Sequence, residues 1–163
     1  MIEAACIAEA AAILALYRAR GWQIATAESC TGGLIAATLT AVAGSSDVVD
    51  RGFVTYSNAA KTEMIGVPAG LIAAHGAVSA EVAAAMAEGA LADSAADVAV
   101  SCTGIAGPGG ATAGKPVGLV HLGLAVKGKG VTLARHVFPG DRAAVRAATV
   151  AAALGMLRSA AGG

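Results

Sequence analysis

The tightest constraint on this chain is the stretch Ala25-Thr26-Ala27-Glu28-Ser29-Cys30-Thr31-Gly32-Gly33, where an apolar run meets a polar turn and then a helical pattern. Residues 23–27 read as a short buried strand, and Thr31-Gly32-Gly33-Leu34-Ile35-Ala36-Ala37 opens a helix. Between them stand a carboxylate, a hydroxyl, a thiol and a second hydroxyl. A strand that turns sharply into a helix presents its turn side chains at the end of the sheet. It aims the free N–H groups of the helix's first turn at the same spot. Open α/β proteins place ligands and nucleophiles there. The plainer alternative is that Ser29 or Thr31 only caps the helix.

Composition says what kind of core surrounds this turn. The 163 residues are 56% apolar but only 3% aromatic, with alanine carrying much of the apolar content. A chain of this length is expected to form one domain, 1–163, with helices and sheet approaching closely. Eleven Lys and Arg balance eleven Asp and Glu, so no global field recruits nucleic acid or an anionic membrane. The mean hydropathy is +0.70. Yet the longest uncharged stretches, 29–46 and 98–114, are broken by Gly, Ser, Thr and Pro. Neither supplies the ~20 apolar residues of a membrane span. Glu3 and Glu9 with no basic run do not read as a signal peptide. Cys6, Cys30 and Cys102 are scattered without metal-ligand spacing, and reduced thiols in the cytoplasm fit them best.

Along the chain, residues 2–20 form an amphipathic helix stopped by Gly21. The helix after the polar turn is expected to run to about residue 42, followed by a capping loop over 43–47 and a second strand over 52–56. Ser57-Asn58 reads as the N-cap region of a short helix ending at Gly66, a helical turn reaches His75-Gly76, and Ser79 begins an alanine-rich helix to about residue 93. A strand over 97–102 delivers the chain to a glycine-rich loop over 104–114. Residues 117–126 and 131–138 pair as a hairpin, and Pro139-Gly140-Asp141 caps a terminal helix. Helices alternating with strands, then a late hairpin, predict an α/β fold with a mixed sheet of about five strands flanked by helices.

Several further residues carry candidate chemistry. Gly109 to Lys115 spells G-x-x-x-x-G-K, but Pro116 stands where a P-loop needs Ser or Thr, and a strand follows where a helix should begin. The loop can still bring backbone N–H groups close to an anion or polar ligand, or be a plain connection. His75, His121 and His136 have no metal spacing. Cys30 is an alternative nucleophile to Ser29, without an identified base. Lys61 lies about one helical turn past the second strand, with Tyr56 at that strand's tip. If the strand neighbours the first, both converge on Ser29, and a desolvated lysine can act as a base; a solvated surface lysine is the alternative. Arg142 and Arg146, spaced i, i+4, can clamp an anion or form an exposed face.

Taken in order, Glu28-Ser29-Cys30-Thr31-Gly32-Gly33, Gly52-Phe53-Val54-Thr55-Tyr56-Ser57-Asn58 with Lys61, Gly76-Ala77-Val78-Ser79, Gly104-Ile105-Ala106-Gly107-Pro108-Gly109-Gly110, Lys115-Pro116-Val117-Gly118 and Gly140-Asp141-Arg142 closely resemble the C-terminal domain of CinA (competence/damage-inducible) proteins. The resemblance covers nearly the whole chain. Two departures, Ala111 in place of a glycine and Ala113-Gly114 in place of a more polar pair, fall in the glycine loop.

The resemblance implies an α/β/α fold and cytoplasmic hydrolysis of the carboxamide of nicotinamide mononucleotide, yielding nicotinate mononucleotide and ammonia. It implies a serine-lysine amidohydrolase with no cofactor and no metal, in which Ser29 is the nucleophile, Lys61 its base and Tyr56 an assisting hydroxyl. N–H groups around Thr31, Gly32 and Gly33 are placed to meet the oxyanion. Gly104, Gly107, Gly109, Gly110 and Thr112 of the loop, with Arg142 and Arg146, are the candidates for seating the nucleotide. The expected partner is a small nucleotide, with neither nucleic acid nor membrane, and a homo-oligomer is compatible with the sequence. A catalytically silent nucleotide-binding regulatory domain and a cysteine amidase using Cys30 are the alternatives.

Overall fold

The computed structural model describes residues 1–162. Six α-helices and five strands follow in the order α1 (Ala4–Arg20), β1 (Ile24–Glu28), α2 (Leu34–Thr40), β2 (Val49–Val54), α3 (Asn58–Ile65), α4 (Ala69–His75), α5 (Ala80–Ala92), β3 (Val98–Gly104), β4 (Leu119–Val126), β5 (Gly130–Val137) and α6 (Arg142–Ala160). The strands form one mixed sheet in the order β2-β1-β3-β4-β5. β1 runs parallel to both neighbours, while β4 and β5 are antiparallel additions on the far side.

Side-chain alternation along the central strands divides the core into two layers. Ile24, Val98, Val100 and Leu122 face α1, α2 and α6, where Ile13, Leu14, Ile35, Leu39 and Leu154 complete the packing. Ala25, Ala27 and Ala99 face the other side with Val82 and Met86 of α5. The alanine content has a direct structural use here. Gly123 of β4 has no room for a side chain, since a Cβ would lie 2.6 Å from the Ala83 carbonyl oxygen of α5. The Ser101 hydroxyl donates to that same oxygen at 2.6 Å. Small residues therefore let α5 lie close against the sheet.

The expected architecture is the observed one, with two boundary corrections that bear on the site. The second strand is Val49–Val54, and Thr55 and Tyr56 lie past its end. Pairing with β1 sets this register: Gly52 lies opposite Thr26, and Thr55 N–H makes a last bond to Glu28 O at 2.9 Å before the chain leaves the sheet. The helix after the polar turn begins at Leu34 and ends at Thr40. Gly32 (φ 60°) and Gly33 (φ 104°) adopt left-handed backbone angles, which delay the helix start and which residues with a Cβ rarely adopt.

Candidate active site

The site sits at the carboxyl end of β1, beside the last residues of β3, which runs past Cys102 to Gly104. Ser29 N–H donates to the Cys102 carbonyl of β3 at 3.1 Å, which carries Ser29 one residue beyond the sheet. The turn then closes on itself, as Gly32 N–H donates to Ser29 O at 3.1 Å and Leu34 N–H to Thr31 O at 3.2 Å. Ser29 is buried, with 8% of its surface exposed.

Glu28 holds this turn from beneath. Its carboxylate is fully buried. One oxygen accepts from the Thr31 hydroxyl at 2.6 Å and Ile35 N–H at 2.8 Å; the other accepts from Ala36 N–H at 3.0 Å. The first-turn N–H groups of α2 are thus directed at Glu28 rather than at a ligand. A carboxylate at a helix N-terminus is well placed both for those donors and for the helix dipole. The donors that the sequence offers, around Thr31 to Gly33, lie ahead of this first turn, because the helix begins at Leu34. Among Thr31, Gly32 and Gly33, the Gly32 N–H is also spent within the turn. The N–H groups of Cys30 and Thr31 donate to no backbone carbonyl. The sequence signal for Glu28 was its place in an apolar run with no basic residue nearby.

Lys61 reaches Ser29 from α3. Ser57 caps that helix by accepting from Ala60 N–H, so the first turn aims Lys61 back toward the β1 end. Lys61 Nζ lies 3.1 Å from Ser29 Oγ, donates to Thr55 O at 2.8 Å and lies 3.4 Å from Tyr56 O. Only 1% of Lys61 is exposed. Burial, which disfavours the charged form, pushes its pKa below the ordinary lysine value.

Ser29, Lys61, Tyr56, Asn58, Gly104 and Arg142 line one cavity of about 220 Å³. Tyr56, expected as an assisting hydroxyl at Ser29, turns that hydroxyl to Arg142 Nη2 at 3.1 Å and offers its carbonyl to Lys61. Arg142 also donates from Nη1 to Gly107 O at 2.9 Å, tying the glycine loop to the start of α6. Its side chain forms part of a second cavity of about 670 Å³, alongside Ala106, Pro108, Gly140 and Arg146. Arg146 borders that cavity with Arg142, and its guanidinium is hydrogen-bonded to the turn after Ser29. Its Nε donates to Cys30 O at 3.2 Å and its Nη2 to Thr31 O at 3.0 Å. Gly104 lines the smaller cavity, whereas Gly109, Gly110 and Thr112 lie on the exposed part of the loop and line neither cavity. There Thr112 and Lys115 bridge each other through paired backbone bonds.

Asn58 and Thr103 border the Ser29 cavity without having been singled out as site residues. Asn58 reads from the sequence as a helix start, and Thr103 falls between the expected strand over 97–102 and the glycine-rich loop. The thiol of Cys30 interacts with that of Cys102, which lowers the Cys30 pKa despite burial and raises that of Cys102. Among the described residues no group of three or more His, Cys, Asp or Glu is placed to hold a metal ion. No described helix is long and apolar enough to cross a membrane.

Residues 7–161 match the family model described as CinA C-terminal domain. A nicotinamide-nucleotide amidohydrolase PncC from Enterobacter agglomerans is 55% identical over 132 residues, covering 81% of this chain and 80% of that protein. A CinA-like protein from Citrifermentans bemidjiense is 57% identical over 143 residues, but the match covers only 34% of that protein. The chain likewise spans about a third of other CinA-like and competence-damage inducible relatives. The crystal structure of competence/damage inducible protein CihA from Agrobacterium tumefaciens superposes with a TM-score of 0.96 at 47% identity, covering 100% of this chain and 99% of that one. A family match over nearly the whole chain, and a solved relative of the same extent and topology, place this protein in the CinA C-terminal domain family.

Proposed function

We propose that this protein hydrolyses the carboxamide of nicotinamide mononucleotide to nicotinate mononucleotide and ammonia, with Ser29 as nucleophile and Lys61 as its base. The observation that carries the reading is the 3.1 Å approach of Lys61 Nζ to Ser29 Oγ inside a buried pocket. A serine hydroxyl is a weak nucleophile at neutral pH and needs such a base. The 55% identity to a nicotinamide-nucleotide amidohydrolase supports the substrate assignment.

In this reading Ser29 Oγ attacks the carboxamide carbon while its proton passes to Lys61 Nζ. The C=O bond opens to a tetrahedral oxyanion, for which the N–H groups of Cys30 and Thr31 are the donors at hand. The oxyanion collapses, the C–N bond breaks, and Lys61 returns the proton to the departing nitrogen, releasing ammonia. Water then enters, gives a proton to Lys61, and attacks the acyl carbon. Ser29 leaves with that proton, and the carboxylic acid product is freed. One water is consumed and one ammonia formed.

The test is ammonia release from nicotinamide mononucleotide by the purified protein, with nicotinate mononucleotide formed in equal amount. A second reading, a nucleotide-binding domain without turnover, draws on the long CinA-like relatives of which this chain spans only a third. Binding of the mononucleotide with no ammonia release would favour that reading.

Arg142 is assigned to the nucleotide's phosphate, because it borders both cavities and its hydrogen bonds go to Gly107 and Tyr56, with none to Ser29 or Lys61. A clamp remote from the amide binds ground state and transition state about equally. Arg142→Ala is therefore expected to raise KM about ten- to a hundredfold with little change in kcat, as the loss of one charge-assisted contact of about 1.5–3 kcal/mol would do. Steady-state kinetics on the mononucleotide decides it; an unchanged KM would leave Arg142 as a brace between Tyr56 and the glycine loop.

A further inference from the structure

The turn that carries Ser29 is gripped by two charged side chains, and neither makes a hydrogen bond to Ser29 itself. Glu28 takes donors: the Thr31 hydroxyl and the N–H groups of Ile35 and Ala36. Arg146 takes acceptors, the carbonyls of Cys30 at 3.2 Å and Thr31 at 3.0 Å. It arrives from α6, in the second turn of that helix and more than a hundred residues away in sequence. Gly32 lies directly against it, since a Cβ there would stand 3.5 Å from Arg146 Nη2.

What this grip controls follows from the planarity of the peptide unit. In a trans peptide the C=O and N–H point in opposite directions, so a partner on the carbonyl fixes the heading of the N–H it is conjugated with. The Cys30 carbonyl, held by Arg146, belongs to the same peptide as the Thr31 N–H. The Ser29 carbonyl, held by Gly32 N–H, belongs to the same peptide as the Cys30 N–H. Both N–H groups directly follow Ser29 and have no backbone acceptor of their own. An oxyanion donor is useful only when its direction is set in advance. A guanidinium suits the task, because its rigid planar fork donates to two carbonyls from separate nitrogens.

We propose that Arg146 is a positioning residue for the oxyanion: by holding the Cys30 and Thr31 carbonyls it orients the Thr31 N–H, and it does not bind the nucleotide's phosphate. This rests on the reading of Ser29 as nucleophile. Two of its three guanidinium nitrogens are already committed to the turn, whereas Arg142 stands exposed at the mouth.

The test compares Arg146→Ala and Arg146→Lys with the wild-type protein in two assays. In turnover of nicotinamide mononucleotide, Arg146→Ala is expected to lose about ten- to a hundredfold in kcat, within the cost of a disturbed oxyanion donor, with KM nearly unchanged. Arg146→Lys keeps the charge and is expected to recover little of that loss. Millimolar guanidinium added to Arg146→Ala is expected to restore part of kcat, and ammonium none. In the second assay a fluorophosphonate labels Ser29, read by mass spectrometry, and both variants are expected to label more slowly by a similar factor. Thermal melts identify a variant that fails to fold, and Arg146→Lys then carries the labelling comparison alone. A rise in KM at unchanged kcat would make Arg146 a substrate ligand and overturn the proposal. So would wild-type kcat and labelling rate in both variants. If the wild-type protein neither turns over nor labels at Ser29, the assignment of the nucleophile falls first and the positioning role with it.

Discussion

Ser29→Ala is expected to abolish amide hydrolysis, by about 10,000-fold or more, while the protein melts close to the wild-type temperature. The size follows from losing the atom that forms the acyl bond, since no neighbouring group can replace it. Stability changes little because the Ser29 hydroxyl has one recorded partner, Lys61 Nζ, and the turn is held by backbone bonds, Glu28 and Arg146. Cys30 is the control that gives the experiment its force. It is the adjacent residue, it borders the same cavity, and its interaction with Cys102 holds its thiol below the ordinary range. A thiolate there would be a strong nucleophile. Yet the basic nitrogen is recorded within hydrogen-bond distance of Ser29 Oγ, and no such contact joins it to Cys30. Cys30→Ala is therefore expected to keep most of the activity and to lose about 1 kcal/mol of stability at most from a small cavity. Ammonia release by the two variants, with a thermal melt of each, separates the cases. An active Ser29→Ala beside a dead Cys30→Ala would move the chemistry to the thiol.

The parts of this picture that the sequence made legible are those written in local pattern. The apolar run ahead of Glu28, the alternation of β4 and β5 around their turn, and the caps at Ser57, Ser79 and Asp141 all report on neighbours a few residues away. They yielded the fold class, and the caps are occupied as hydrogen bonds in the structure. The approach of Lys61 to Ser29 was conditional on β2 lying beside β1, which the parallel pairing provides. Partners of polar side chains were not legible, because they are set by which elements pack together. Arg146 reads as an exposed or anion-binding residue from its i, i+4 spacing, but α6 packs across α2 and the start of the turn, so its guanidinium meets carbonyls that the turn exposes. Tyr56 sits near the end of β2, but its hydroxyl is captured by Arg142 from the opposite end of the chain. The helix start moved for a reason of backbone geometry alone. Two consecutive glycines at positive φ extend the turn, and nothing in their hydropathy distinguishes them from a helical N-terminus.

Lys61→Arg is expected to lose about 100- to 10,000-fold in kcat/KM, the range in which a positioned general base contributes. The expectation turns on protonation. As a cation, Lys61 has three N–H donors and no acceptor; as a neutral amine it has two donors and one lone pair. Two of the directions around Nζ lead to the carbonyls of Thr55 and Tyr56, and the third leads to Ser29 Oγ. The neutral amine therefore fits the site with both hydrogens on carbonyls and its lone pair on the serine proton. Burial lowers the lysine pKa, and Lys61 takes part in no ion pair among the described residues that would restore the charge. The neutral, active form is populated above that lowered pKa. Activity is thus expected to rise with pH along an ascending limb below the usual lysine value of ~10.4 and to level off above it. Arginine at this position keeps the positive charge but cannot release its proton, so it fails as a base at every accessible pH. Lys61→Ala is expected to fail as well, with Ser29 still in place. The decisive measurement is the pH profile of kcat/KM for the wild type beside the turnover of Lys61→Arg. A flat profile together with an active Lys61→Arg would mean that Lys61 supplies only charge. The proton on Ser29 would then need another acceptor, and Tyr56 would have to break its bond to Arg142 to provide it.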